Sequence, residues 1–393
     1  MKVAITDTTY AADGYAAHLA RRLLAQGHEV DLYCRELADD PEPGVRLQRI
    51  PDRWKAFEFA SAWSFDRWLT RRLDLDAYDV VHGLSHSSHQ DITSARQPLL
   101  HDQEESRSAA GDDRLRRADP DGLHRKQLLA IEKRRYTPGA ARKVIAPSRA
   151  AAERLRQRYA LPEETLTVLP NGVDTERFRP ENCARYRQEY RERVVCPQEA
   201  FVVLCAGNGF RRRGVPALVE AARAIRERGG LPGGRELRIA VVGHDTQRSE
   251  QRLLAEARAR GVGGALKLYG EQPLSERWLA MADVAALPSR FDPFADSVLE
   301  AMATGLPVIA SCEVGAAELI EDGRNGLLLH DRSDAQALAD RILRLASDPE
   351  GAARMGAEAR RTAEAHAYDR HVEALLALYE EVAAAKKRSL TPA

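Results

Sequence analysis

The chain has 393 residues, 44% of them hydrophobic, with 59 lysines plus arginines balanced by 59 aspartates plus glutamates. That length exceeds one ordinary core and predicts two domains of roughly 180 residues each. The balanced charge argues against nucleic acid as a partner, so any basic surface must be local.

Cys34, Cys183, Cys196, Cys205 and Cys312 are scattered, without CxxC spacing or histidine-rich neighbours. This argues against a disulfide framework and a zinc site, and fits reduced cytosolic thiols. The opening MKVAITD is too short an apolar run for a signal peptide, and no apolar stretch has membrane-spanning length. A cytoplasmic protein is expected, with peripheral contact at the inner face of the cytoplasmic membrane left open.

Short apolar runs alternate with helical periodicity from the first residue onward, the pattern of a parallel sheet covered by helices. Strands are predicted at residues 3–5, 30–33, 80–81, 144–145 and 166–169, with helices at 14–26, 58–73, 123–136 and 149–159. Pro170, Gly172 and Pro180, followed by a polar, arginine-rich run to Pro197, read as a linker. The pattern then restarts, with strands at 201–205, 239–242, 266–269, 284–287, 308–310 and 327–329. Helices are expected at 217–226, 250–260, 275–281, 297–303, 335–346 and 368–387. The reading is α/β, with two Rossmann-like domains at 1–180 and 195–365 and a cleft at their strand ends.

The most informative string is FDPFADSVLEAMATGLPVIAS, starting at Phe291. It sets Asp292 eight positions before Glu300, with a helix beginning near Asp296 that carries Glu300 on its second turn. Free amides at that helix start, over Phe294, Ala295, Asp296 and Ser297, form a site for phosphate. Carboxylates accept from sugar hydroxyls, so the combination suits a nucleotide-sugar. Asp296 itself reads as the helix N-cap. A second string, AGNGFRRRGV, follows a strand and opens a helix with Pro216 in its first turn. Its arginines provide the fixed positive charge that a departing nucleoside diphosphate needs.

DPFADSVLEAMATGLPV resembles the signature of the retaining, nucleotide-sugar-dependent glycosyltransferases of the GT-B fold, family 4-like, with its Glu-x7-Glu spacing. The resemblance implies that Asp292 contacts the donor sugar and Glu300 the ribose. Arg212 and Arg213, before Gly214, align with the family's Arg-Lys-Gly triplet and would stabilise the leaving diphosphate, whereas Arg211 reads as a solvated turn residue. The chain departs from the usual form in having Asp292 for glutamate and Asp296 where a small or apolar residue is common. Gly14 stands for the second of two glycines whose backbone approaches the donor phosphate or acceptor, with Asp13 at the first. The absence of GxGxxG spacing there lowers a rival NAD reading. His101 stands where the family carries a histidine beside the sugar and is taken as catalytic with Asp292, Arg212 and Arg213. Asp102 would order His101 or meet the acceptor, and His82, His86 and His89 are candidates for acceptor contact. Glu318 has a possible place near the nucleotide or in ordering its turn, while Ser148 and the Asn171-Gly172 turn read as structural.

The same resemblance implies that helix 368–387 crosses back onto the first domain, and that no cofactor and no obligatory metal is needed. Donor and acceptor are expected to be a UDP-linked hexose and a glycan or glycolipid. HGLSHSSHQDI and LAIEKRRY most resemble members that extend the lipopolysaccharide core. Arg114, Arg116, Arg117, Arg125, Lys126, Lys133, Arg134, Arg135, Arg142 and Lys143 make a basic band. With Trp54, Trp63 and Trp68 among Phe57, Phe59 and Phe65, it forms either a surface for anionic lipid or, for the aromatics, ordinary core. A sugar-nucleotide epimerase and a non-catalytic nucleotide-sugar-binding subunit are the alternatives.

Overall fold

A computed structural model describes residues 1–12, 14–50, 61–100, 102, 122–272 and 276–390. The chain forms two compact units, Met1–Pro170 with Tyr368–Ala393, and Asn171–Ala367.

The first unit holds seven strands: β1 (Lys2–Tyr10), β2 (Glu29–Leu37), β3 (Arg46–Arg49), β4 (Val80–Gly83), β5 (Ile92–Ser94), β6 (Lys143–Ala146) and β7 (Leu166–Val168). They lie in the order β3-β2-β1-β4-β5-β6-β7, every neighbouring pair parallel. The chain runs outward from β1 to β3, then returns to β4 on the other side, so the topology reverses between β1 and β4. Loops at such a reversal splay apart and leave a crevice at the carboxyl ends of the strands. β3 and β5 have no counterpart in the sequence reading. RLQR is an exposed edge strand, and the three residues of β5 include Thr93 and Ser94, so neither offers an apolar run.

Helix Tyr368–Leu390 packs on this unit through polar as well as apolar contacts. Tyr379, fully buried, hydrogen-bonds His82 at the end of β4 at 2.6 Å, and buried Lys386 donates to Asp91 at 2.8 Å and to the Leu75 and Tyr78 carbonyls.

The second unit has six parallel strands: β8 (Phe201–Ala206), β9 (Leu237–Val242), β10 (Leu266–Leu268), β11 (Val284–Leu287), β12 (Val308–Ser311) and β13 (Leu327–Leu329). Their order is β10-β9-β8-β11-β12-β13, with reversal between β8 and β11. β8, β11 and β12 are buried on both faces, which explains their uninterrupted apolar sequences.

The arginine-rich segment read as a linker is instead a helix, Glu181–Arg193, within the second unit. Its polarity misleads because Arg191 is fully buried, donating to the Met281 and Ala200 carbonyls and to Asp283. Helix Pro349–Ala365 also has no counterpart in the sequence reading, although Asp348 caps it and Pro349 occupies its first turn.

Candidate functional site

In the second unit the loops after β8 and β11, the two strands at the reversal, bring the motif residues together. β8 runs into Gly207 and Gly209, both with positive φ, then a single turn, Phe210–Arg213, and Gly214 with φ 79°. A Cβ on Gly214 would lie 2.0 Å from the Pro288 carbonyl oxygen, so the loop after β8 can seat against the loop after β11 only with glycine here. The Arg290 amide donates to the Arg212 carbonyl at 2.9 Å, fastening the two loops further.

This packing sets Arg212 and Arg213 side by side on one carboxylate. Arg212 Nη1 reaches Asp292 Oδ2 at 3.1 Å and Arg213 Nη1 reaches the same oxygen at 2.7 Å. All three side chains are largely buried. Burial, then the charge of Arg213, lowers the Arg212 pKa. Arg213 Nε is buried without a hydrogen-bond partner and lies against Gly207, where a Cβ would come within 2.3 Å of it. Arg211 instead points to Glu256 at 3.9 Å.

The loop after β11 is stapled to the loop after β12. Gly315 donates to the Asp292 carbonyl at 2.9 Å and Ala316 to the Phe294 carbonyl at 2.8 Å. Asp292 Oδ1 accepts from the Phe294 amide at 3.1 Å, so that amide, expected to be free for phosphate, is already engaged. Helix Asp296–Ala303 then begins, its N-cap being Ala295 and not Asp296. Ala295 has φ 67°, a left-handed conformation that an L-residue adopts only at a cost.

With alanine as the cap there is no side-chain cap hydrogen bond, so the helix start keeps its positive end uncovered by a capping side chain. Asp296, in the first turn, accepts from Asn171 Nδ2 at 2.6 Å. Ser297 follows it and half-buried Glu300 lies on the second turn. Asn171 is thus a supporting residue of the site. Its sequence signal pointed only to a turn, because nothing local links positions 125 apart. Glu318 is exposed in the turn Gly315–Leu319.

In the first unit Gly14 is the N-cap of helix Tyr15–Ala25, with an extended backbone (φ −82°, ψ 162°). His101 lies outside the described residues, as do Asp13, Trp54, Phe57, Phe59, Arg114, Arg116 and Arg117. Asp102 pairs with Arg154 at 3.0 Å.

The histidines after β4 divide. His82 is fully buried between Tyr379 and Ser94, and burial pushes its pKa down to about 3, so it is a neutral core residue and not an acceptor contact. His89 is tied to the Leu73 carbonyl at 2.9 Å, while His86 lines a pocket. Asp7, near the end of β1, is an acid the sequence reading passed over. Burial pushes its carboxyl up to about 6, against the hydrogen bond from Ser85 and the charge of Arg96.

Of the described aromatics in the lipid-facing reading, Phe65 and Trp68 are core beside Tyr33 and Tyr78, while Trp63 is exposed under Arg67. Of the basic band, Arg134 pairs with Asp66, Arg142 with Asp91 and Lys143 with Glu381, and Arg135 is buried. Among the described residues no helix is long and apolar enough to cross a membrane, and no three histidine, cysteine or acidic side chains gather as metal ligands.

Two parallel sheets, with paired arginines and a carboxylate at one reversal beside a helix start without a side-chain cap, define a two-unit α/β protein with a charged site at its strand ends. Residues 13–177 match the model of glycosyltransferase family 4, and residues 186–362 that of glycosyl transferases group 1. The D-inositol 3-phosphate glycosyltransferase of Actinosynnema mirum is 31% identical, the match covering 93% of this chain and 90% of that one. Its counterpart from Xylanimonas cellulosilytica is 28% identical over 95% and 92%. Among solved structures, WaaG, a glycosyltransferase involved in lipopolysaccharide biosynthesis, has a TM-score of 0.74 at 20% identity, covering 95% of this chain and 98% of that one. Anabaena HepE in complex with UDP-glucose has a TM-score of 0.65 at 19% identity, covering 96% and 100%. The chain belongs to glycosyltransferase family 4 and has the GT-B fold; it is a retaining hexosyltransferase.

Proposed function

We propose that the chain transfers a hexose from a UDP-linked donor to a hydroxyl of a small polyol or glycan, with retention at the anomeric carbon. The observation that carries this reading is the pair Arg212 and Arg213 converging on Asp292 at the β8/β11 reversal. As the bond from the anomeric carbon to the β-phosphate oxygen breaks, its electron pair leaves with the diphosphate. The two guanidinium groups and the amides at the start of helix Asp296–Ala303 stabilise the charge that grows there. The acceptor oxygen bonds to the anomeric carbon on the face the phosphate leaves, and its proton passes to the departing phosphate oxygen. Asp292 orients the sugar and Glu300 holds the ribose. The guanidinium groups and amides supply the positive charge that a metal would otherwise provide, so no cofactor and no metal is required.

A cyclitol or related polyol acceptor is supported by the curated relatives, which are named D-inositol 3-phosphate glycosyltransferases. UDP is supported by the HepE complex. A lipopolysaccharide-core acceptor at the membrane face is the second reading; it draws on HGLSHSSHQDI, whose His86 lines a pocket.

Incubation with UDP-, GDP- and ADP-hexoses and a panel of polyols and glycans, followed by proton spectroscopy of the anomeric signal, tests the proposal. The expected product is a glycoside with the donor's configuration. An epimerised nucleotide-sugar formed without acceptor would instead identify an epimerase, and donor binding with no turnover a non-catalytic subunit.

A further inference from the structure

Arg135 ends helix Gly122–Arg135 in the first unit and is buried to 8% exposure. Its guanidinium ties together the ends of two strands next to the topological reversal. Nε donates to Thr93 Oγ1, and Nη2 donates to the Ser94 carbonyl at 2.6 Å and, more weakly, to the Gly83 carbonyl at 3.4 Å. Every one of these acceptors is neutral. Among the described residues no carboxylate lies within ion-pair distance of Arg135, and Nη1 has no acceptor. A buried cation without a counter-ion is costly, and proteins ordinarily pair it.

The same side chain lines a small pocket, in part open to solvent, with His86, Gln97, Leu100, Glu132 and Tyr136 around it. Glu132 is the acid in that lining, and its oxygens are engaged elsewhere, by the Leu100 amide at 2.9 Å and the Tyr159 hydroxyl at 2.5 Å. His86 and Gln97 come from the loops after β4 and β5, the strand ends where open α/β sheets bind ligands.

We infer that this pocket is an oxyanion subsite, in which Arg135 Nη1 holds a phosphate or carboxylate carried by a hydroxylated small molecule, with Gln97 at the rim. The subsite rests on the proposed function only in being assigned to the acceptor. Anion binding is independent of turnover.

The test is titration calorimetry on the full chain with glucose 6-phosphate, glucuronate and neutral glucose, at saturating UDP so that Arg212 and Arg213 are occupied. Glucose 6-phosphate or glucuronate should bind at least about tenfold more tightly than glucose, and whichever anion binds identifies the source of the charge. Arg135→Gln should abolish that preference. Because Arg135 also braces two strands, Gln97→Glu provides a variant that leaves the brace intact and adds a negative charge at the rim. It should weaken the anion several-fold more than it weakens glucose. Equal affinity for the three ligands, or anion binding unaltered by Gln97→Glu, would overturn the subsite. Failure of sugar transfer with any donor, while the anion preference persists, would count against the proposed function alone.

Discussion

Arg213 donates from Nη1 to Asp292 Oδ2 at 2.7 Å, and that one oxygen also takes Arg212 at 3.1 Å. The carboxylate therefore keeps two like charges adjacent, in surroundings where burial and mutual repulsion already lower the Arg212 pKa. Under the proposed function, a diphosphate entering this unit would find the arginines in place, with less reorganisation needed in the transition state. Arg213→Ala should lower kcat at least tenfold, about 1.4 kcal/mol of barrier. Steady-state rates with and without the substitution measure this, and unchanged turnover would remove Arg213 from the mechanism. Combining it with Asp292→Asn should give a non-additive loss, because the two groups share one ion pair.

Ala295 adopts φ 67° as the N-cap of helix Asp296–Ala303. Left-handed backbone costs an L-residue about 1–2 kcal/mol, so Ala295→Gly should stabilise the second unit, by about 1 kcal/mol after glycine's greater unfolded-state entropy is allowed for. Chemical denaturation reads this directly. A loss of stability would mean that the alanine methyl contributes more packing than its backbone loses.

Lys386 is buried and donates to Asp91 and to two carbonyls, which fixes helix Tyr368–Leu390 on the first unit. Removing one partner of a buried pair leaves the other uncompensated, so Lys386→Met should cost about 3 kcal/mol. Adding Asp91→Asn should recover part of that. If Lys386→Met alone proves neutral in denaturant titration, the helix is held by its apolar face.

His82 and His371 should make the first unit lose stability in mild acid. Burial lowers their pKa values to about 3 and about 4 from the ordinary 6.5, so the unfolded chain takes up protons first. Their neutral forms thus contribute stability that is complete above about pH 6.5 and is lost as the pH falls. Asp7, raised to about 6 from 3.8, acts in the opposite sense between about pH 4 and 6, because there the folded state holds its proton more tightly. His28 is lowered by burial as well, so the histidines outweigh the one aspartate and the net effect is a loss of stability as the pH falls through that range. Denaturant midpoints at pH 7.5, 6 and 5 check the sign. A flat profile would mean that the histidines are hydrated in the folded state.

Most strands and the two-unit α/β architecture were legible because parallel strands buried on both faces need continuous apolar runs. VVLCA in β8 and VAAL in β11 are examples. β5 was not, since its Thr93 and Ser94 are polar side chains buried by bonding to Arg135 and His82, partners on other elements that a local pattern does not show. Helix Glu181–Arg193 escaped for a related reason: its arginines looked solvated, and only folding shows Arg191 enclosed by carbonyl groups.

The chain's own order of residues determined which chemistry is present: Asp292 and Glu300 eight apart, Arg212 and Arg213 before Gly214, and the helix start at 296. Those features are local, and local geometry follows from turn and helix preferences. Tertiary structure alone decided how they are used. It turned Asp292 onto both arginines, gave Asp296 to Asn171 in place of the cap, buried His82, and left Arg135 at a pocket without a counter-ion. Such outcomes depend on which loops meet at a sheet reversal. Burial and pairing energies between distant residues set them, and no periodicity along the chain records those energies.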